Sequence, residues 1–179
     1  MKKLLLLSLS ALAITFSANA QQTASSSKKM FTATGDFKNI NIKLQKAGFG
    51  SEYRCVEGRQ TVCNSNVIEF GAPPKPGERR NGIMATYERQ NDINVQTVTI
   101  GLFLSNLTEK DDALKQMADM ATKLFKELKI VVPEGLINAI ANMQPFETAE
   151  GVKDLRISLQ PRNQGGKVRQ LFLEIYANN

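Results

Sequence analysis

The sequence predicts an α+β fold: a single domain with a mainly antiparallel sheet built from hairpins and with helices packed on one face. Two observations lead to this prediction. Segments that alternate apolar and polar residues come in neighbouring pairs joined by turn-forming residues, as in hairpins. One long segment, residues 108–129, instead repeats its apolar residues at the helical spacing of three and four. Paired strands beside a long helix are typical of an α+β domain.

The long helical segment is the clearest periodic pattern of the chain. One face of the helix would carry five apolar side chains: Leu114, Met117, Ala121, Leu124 and Leu128. Thr108 followed by Asp111 is typical of an N-terminal capping pair, and the lysines of the last turn suit the negative end of the helix dipole. We therefore expect this face to be buried against the sheet, so that Leu124→Asp would unfold the domain.

Two shorter helices are predicted on either side of it. In residues 36–47 one helical face carries Phe37, Ile40, Leu44 and Ala47. Residues 40–44 also alternate as a strand would, but Gly48 after a lysine-containing turn favours a helix that Asp36 caps and after which Phe49 folds back. In residues 133–143 we expect Pro133 in the first helical turn. The inward side chains there would be Leu136, Ile137 and Ile140.

The remaining segments predict strands. Residues 82–88 and 93–104 form one predicted hairpin, turning near Asn91-Asp92, and the second arm should be the central strand of the sheet. One face of that arm is apolar throughout: Val98, Ile100, Leu102 and Leu104. Residues 155–160 and 168–177 form a terminal hairpin around the turn-forming segment 161–167, and between the third helix and this hairpin we expect an irregular connection.

The two cysteines predict a covalently closed hairpin. Placing Cys55 opposite Cys63 leaves a short loop, and directly opposed residues of antiparallel strands lie close enough for a disulfide. The chain-entropy model gives such a bond somewhat less than ~3 kcal/mol of stabilisation. A redox-active pair is the alternative, but it is usually spaced Cys-x-x-Cys at the start of a helix. The spacing therefore favours a structural disulfide, followed by a third short strand over residues 67–70.

The beginning of the chain has the three parts of a bacterial secretory signal peptide: a basic start, an apolar run and small residues before a cleavage point. We predict a signal peptide over residues 1–20, cleavage after Ala20, a flexible leader over residues 21–34 and one domain over residues 35–179. A retained anchor is disfavoured because the apolar run is shorter than the ~20 residues that span a bilayer. The expected location is the periplasm or the outside medium, with no transmembrane segment after cleavage.

Composition excludes several classes of function. The sequence has no His and only 2 Cys, which excludes histidine-dependent catalysis, histidine metal ligands and a four-cysteine zinc site. Removing Lys2 and Lys3 with the signal peptide lowers the formal charge from +6 to +4. The basic residues are spread along the chain without a nucleic-acid-binding motif, so no nucleic-acid partner is expected. No metal or cofactor is expected either, because the acids Glu147, Glu150 and Asp154 lack the fixed spacing of a calcium loop.

One loop is a candidate contact surface. Residues 72–80 combine three prolines with Lys75, Arg79 and Arg80, so this segment should face water. A solvated connection that binds nothing is the commoner role of such a loop. The alternative is an interaction loop in which the two arginines bind the phosphate or carboxylate of a partner.

Three classes of function remain open. The favoured one is an exported, small, non-enzymatic binding or adaptor protein of the bacterial cell envelope, whose partner is a protein or an anionic envelope component. Size, the predicted signal peptide and the lack of a catalytic motif such as G-x-S-x-G or S-x-x-K favour it. The alternatives are a periplasmic enzyme that uses Ser/Lys or carboxylate chemistry, and a carrier of a small ligand.

Overall fold

The computed structural model describes residues 37–89, 95–148 and 155–177. Over these ranges the chain is a single α+β domain in which three helices pack against an eight-stranded antiparallel sheet made of hairpins. The predicted fold class is confirmed. The predicted signal peptide, the leader, the Asp36 cap and the Asn91-Asp92 turn lie outside the described residues.

In chain order the elements are α1 (Phe37–Ala47), β1 (Tyr53–Val56), β2 (Thr61–Ser65), β3 (Ile68–Phe70), β4 (Asn81–Arg89), β5 (Val95–Phe103), a 3-10 turn (Leu107–Glu109), α2 (Lys110–Leu128), α3 (Leu136–Asn142), β6 (Phe146–Glu147), β7 (Leu155–Gln164) and β8 (Lys167–Ala177). The sheet has the strand order β1-β2-β4-β5-β8-β7-β6, and β3 pairs with the beginning of β4. Strand β5 is therefore central, as predicted, and its pairing with β8 joins the two halves of the sheet.

One sheet face forms the core with the helices. The register places Ile83 opposite Leu102, and Leu173 opposite both Ile100 and Leu159, so the apolar phase of each strand falls on the same face. All of these side chains are buried. The five apolar residues predicted along α2 are also buried, as expected for a helix that lies on the sheet: Leu114, Met117, Ala121, Leu124 and Leu128.

The end of α1 follows the sequence prediction. Gly48 has a φ of +106°, in the region that favours glycine. The Phe49 amide donates to the Leu44 carbonyl (2.9 Å), and the Phe49 ring folds back into the core, where it is fully buried. The competing strand interpretation of this segment is therefore wrong.

The start of α2 differs from the prediction. The helix begins at Lys110, behind the 3-10 turn, and its own N-cap residue, Glu109, makes no side-chain capping bond. The capping acceptor lies at the start of the 3-10 turn and is Asn106 instead of Thr108. The Asn106 side-chain oxygen accepts from both the backbone amide (3.1 Å) and the hydroxyl (2.6 Å) of Thr108. Asn106 is extended, which is the conformation of an N-cap residue, so it takes the role that the sequence pattern assigned to Thr108.

Helix α3 is shorter than predicted. Gly135 at its N-cap has a φ of +83°, which keeps Pro133 outside the helix, and the Pro133 carbonyl accepts from the Leu136 amide (3.2 Å). Leu136 and Ile140 are buried as predicted, but Ile137 is 38% exposed, so its assignment to the inner face was wrong. The inner face instead carries Leu136, Ala139 and Ile140, at the helical spacing of three and four, and Ile137 lies outside this face.

The terminal hairpin is longer than predicted. Strands β7 and β8 continue through most of the segment that we expected to be a turn, and only Gly165 and Gly166 connect them. Both glycines have positive φ (61° and 76°), as the tightest hairpin turns require. Phe146 and Glu147, in the expected irregular connection, pair with β7 as the short strand β6.

The predicted disulfide between Cys55 and Cys63 is present, in the predicted register with Val56 opposite Val62. The two Cα atoms are 4.0 Å apart across strands β1 and β2. A disulfide is consistent with an oxidising location outside the cytoplasm. No helix in the described part of the chain has the length and apolar character needed to span a membrane.

Candidate binding groove

The sheet face opposite the helices, which we call the open face, carries half-buried polar and aromatic side chains. Phe103 and Phe172 meet edge to face on it, with ring centroids 6.0 Å apart. Gly101 makes room for this pair, since a Cβ there would lie 3.2 Å from the Phe172 ring. The guanidinium of Arg162 lies 4.5 Å from the centroid of the same ring. The open face therefore carries packed aromatic and cationic side chains in addition to short polar residues.

A groove of about 680 Å³ lies at one end of the open face, where β4 and β8 begin and β5 ends. We call it the basic groove. Its cationic lining consists of Arg79, Arg80 and Arg169, and its apolar lining includes Val67, Met84 and Phe103. The polar lining also includes two side-chain amides, Gln164 and Gln170, one acid, Glu69, and Ser105. A smaller cavity next to it shares Arg79, Arg169 and Gln164 with the basic groove.

The arginine-bearing loop is held at both ends by one short segment, residues 104–109, which we call the anchor turn. At the far end of the loop, the buried Asn81 side chain donates to the Asn106 carbonyl (3.0 Å) and accepts from the Asn106 amide (2.8 Å). At the near end, the Asn106 side chain donates to the Ala72 carbonyl (3.1 Å), and the Ala72 amide donates to the Glu109 carboxylate (2.8 Å). The two ends of the loop that carries Arg79 and Arg80 are therefore fixed relative to the sheet.

Gly71 is required for this close approach. It has a φ of +72°, and a Cβ at this position would overlap the Glu109 carboxylate. A side chain here would therefore force the Glu109 carboxylate away from its position beside the Ala72 amide. The sequence pattern alone showed a glycine before a proline-rich loop, but not the contact that requires it.

Arg169 is held at the groove by the same anchor turn. One terminal nitrogen, Nη1, donates to the carbonyls of Leu104 (3.3 Å) and Ser105 (3.0 Å), and the Leu104 amide donates back to the Arg169 carbonyl (2.8 Å). These acceptors are neutral. Within the described ranges, none of the three groove arginines forms an ion pair. Within these ranges, the positive charge of the three groove arginines is therefore not neutralised by an ion pair with a carboxylate of the protein.

The predicted contact residues separate into two groups. Arg79 and Arg80 both line the basic groove, but Lys75 does not. The Lys75 side chain is 78% exposed, and its ammonium lies 3.9 Å from the Glu78 carboxylate. Sequence reasoning missed Arg169, although one signal was available: it occupies the same phase of β8 as the buried apolar residues, where a charge is unexpected.

The arginines of the basic groove are suited to the recognition of an anionic group. Guanidinium groups bind carboxylates and phosphates through paired N–H donors. No cluster of acidic or cysteine side chains suited to a metal ion occurs in the part of the chain that the structure describes. Of the acids considered from the sequence, Glu147 forms an ion pair with Arg156, while Glu150 and Asp154 lie outside the described residues.

The described groups with clearly shifted pKa values lie elsewhere. Burial lowers the pKa of Lys43, whose ammonium donates to the Glu127 carbonyl (3.1 Å) between α1 and α2. Burial raises the pKa of Tyr87 to about 12 and that of Tyr53 above its usual range. The two tyrosine rings lie 5.5 Å apart beside the disulfide hairpin. None of these three residues lines the basic groove.

Comparison with protein-family models, with curated proteins and with solved structures finds no match for this chain.

Proposed function

We propose that the protein is an exported, non-enzymatic binding protein of the bacterial cell envelope that holds an anionic group of its partner in the basic groove. The observation that carries the proposal is the convergence of Arg79, Arg80 and Arg169 on one groove without an ion-pair partner among the described residues. An anionic partner would supply the missing counter-charge.

Export is supported by two independent features of the chain. The first 20 residues carry the pattern of a cleaved signal peptide. The second feature is the disulfide between Cys55 and Cys63, because disulfides persist in oxidising compartments. A periplasmic or secreted location accounts for both features.

A small-ligand carrier is the second candidate. The groove volume of about 680 Å³ falls within the range of ~300–1,000 Å³ that is usual for small-molecule sites. An enzyme that uses Ser/Lys or carboxylate chemistry has less support, because none of the residues with a clearly shifted pKa lines the groove.

The export part is tested by expressing the full chain with a C-terminal tag in a Gram-negative bacterium. We expect the tagged protein in the periplasmic or medium fraction, with Gln21 as its first residue by N-terminal sequencing. Retention of the uncleaved chain in the cytoplasm would contradict the proposal.

The binding part is tested by capture from an envelope extract on the immobilised exported protein. Wild type is compared with Arg79→Gln/Arg80→Gln and with Lys75→Gln, which removes a charge from the same loop without touching the groove lining. We expect an identified partner that Lys75→Gln retains and the double variant loses, with capture weakening as salt is raised. Equal capture by all three proteins would remove the basic groove from the function.

A further inference from the structure

We infer that the basic groove binds the free C-terminal carboxylate of a polypeptide whose last side chain is apolar. This inference rests on the proposed function and names the chemistry of its partner. It joins three parts of the groove that lie side by side: the arginines, the two glutamine amides and the apolar lining.

The arginines match a carboxylate. Arg169 uses Nη1 for the anchor turn, and among the described contacts its Nη2 and Nε groups make no hydrogen bond, so they stay available to an acceptor in the groove. Arg79 and Arg80 lie on a loop whose ends are tied to the same turn, and both residues line the groove. A terminal carboxylate has two oxygens that a guanidinium fork binds side by side.

The glutamines match a peptide chain. Gln164 and Gln170 each carry one amide that donates and accepts, which is the hydrogen-bonding capacity of a peptide group. An alkyl chain cannot form hydrogen bonds with these amides, so the amides would not contribute to its binding free energy. The lining therefore favours a ligand whose body is itself built of amides over a fatty acid.

The apolar part of the lining matches a side chain. Val67, Met84 and Phe103 lie where the open face meets the loop. Val67 packs across β4 because residue 82 is glycine: a Cβ there would lie 2.6 Å from the Val67 Cγ1 atom. This arrangement provides an apolar surface next to the arginines. A C-terminal residue could therefore place its carboxylate on the arginines and its apolar side chain on this surface.

The charge pattern of the open face argues against a polymeric anion. Away from the groove, Arg156 is paired with Glu147 and its guanidinium lies 5.3 Å from the Tyr176 ring centroid. Arg162 lies over the Phe172 ring. A long polyanion would need a continuous row of unpaired cations, whereas Arg156, further along the open face, is already paired with Glu147.

The test uses the exported protein and labelled hexapeptides in fluorescence anisotropy. Peptides ending in Leu or Phe are compared as free acids and as C-terminal amides, together with free acids ending in Asp or Lys. We expect the Leu and Phe acids to bind about tenfold or more tightly than their amides and than the Asp and Lys acids. Equal affinity of acid and amide, or no binding of any peptide, would overturn the inference.

Two controls locate and identify the interaction. Arg79→Gln/Arg80→Gln should abolish the acid-over-amide preference while melting like wild type by circular dichroism, and Lys75→Gln should keep the preference; an unchanged preference in the folded double variant would place the carboxylate elsewhere and overturn the inference. Octanoate should compete poorly, and competition as strong as that of the Leu acid would show a simple amphiphile site instead. Groove-dependent capture from envelope extract without peptide binding would leave the proposed function standing and refute only this inference.

Discussion

Replacing Asn81 by alanine removes the side chain that ties the start of β4 to the anchor turn. Asn81 is fully buried, and its amide makes two hydrogen bonds to the backbone of a single residue, Asn106, at 3.0 and 2.8 Å. Asn106 is itself only 6% exposed. Alanine would therefore leave one carbonyl and one amide of Asn106 without the partner that Asn81 supplies.

The size of the effect follows from these two groups. A buried polar group that loses its partner costs about 1–3 kcal/mol, so the two groups together should lower the free energy of unfolding of Asn81→Ala by about 2–6 kcal/mol. This is a large fraction of the ~5–15 kcal/mol that stabilises a typical domain. Since the same two bonds hold the far end of the arginine loop, the binding that we propose for the basic groove should weaken even where the variant remains folded.

Urea unfolding followed by circular dichroism measures the loss. Asn142→Ala is the matched control: Asn142 is exposed and its amide bonds only to Asn138 in the previous turn of α3 (2.8 and 3.0 Å), so its change should stay within about 0.5 kcal/mol. An Asn81→Ala midpoint equal to that of the control would refute the role given to the anchor turn.

Three further predictions concern the core and the disulfide hairpin. Leu124→Asp puts a charge at a fully buried position of α2, and the domain should lose its cooperative thermal transition in circular dichroism. Burial raises the pKa of Tyr87 to about 12 in the folded protein, whereas the pKa of an unfolded tyrosine is about 10. Between these pH values the folded state binds more protons than the unfolded state, so the free energy of unfolding should fall as pH rises. It should fall less steeply in Tyr87→Phe. Cys55→Ala/Cys63→Ala opens a disulfide of sequence separation 8, and the chain-entropy model gives a loss of about 2.5 kcal/mol in urea unfolding.

Each of these three predictions has a contradicting outcome. A Leu124→Asp variant that melts like wild type would show that α2 does not bury this face. Parallel stability curves of wild type and Tyr87→Phe above pH 10 would show that Tyr87 ionises as easily folded as unfolded. A double cysteine variant as stable as the oxidised protein would show that the disulfide does not restrict the unfolded chain.

Local patterns were enough to predict the elements whose physical causes are local. The end of α1 depends on Gly48 and on the return of Phe49, which are adjacent in the sequence. The hairpin register depends on Cys55 and Cys63 lying opposite each other. The alternation of β5 shows directly which of its faces is buried.

The misplaced details depend on contacts between distant segments. Thr108 and Asn106 both suit a helix cap, and the choice between them is made by Asn81, which holds the Asn106 backbone from another strand. Arg169 joins Arg79 in the groove only because β8 pairs with β5 and so lies beside the anchor turn. Neither contact can be seen in a local sequence pattern, so the sequence predicted Arg79 and Arg80 as contact residues but not Arg169.

The pairing of β5 with β8 also has a consequence for folding kinetics. The hairpins β4–β5 and β7–β8 each form from neighbouring segments, but joining them closes a long stretch of chain that contains α2 and α3. Pairings between distant segments are slow because loop-closure entropy is lost before the contacts form. We expect docking of the two hairpins to limit the refolding rate, and a bulky residue at Gly101, where the Phe172 ring crosses from β8, to slow refolding more than it speeds unfolding.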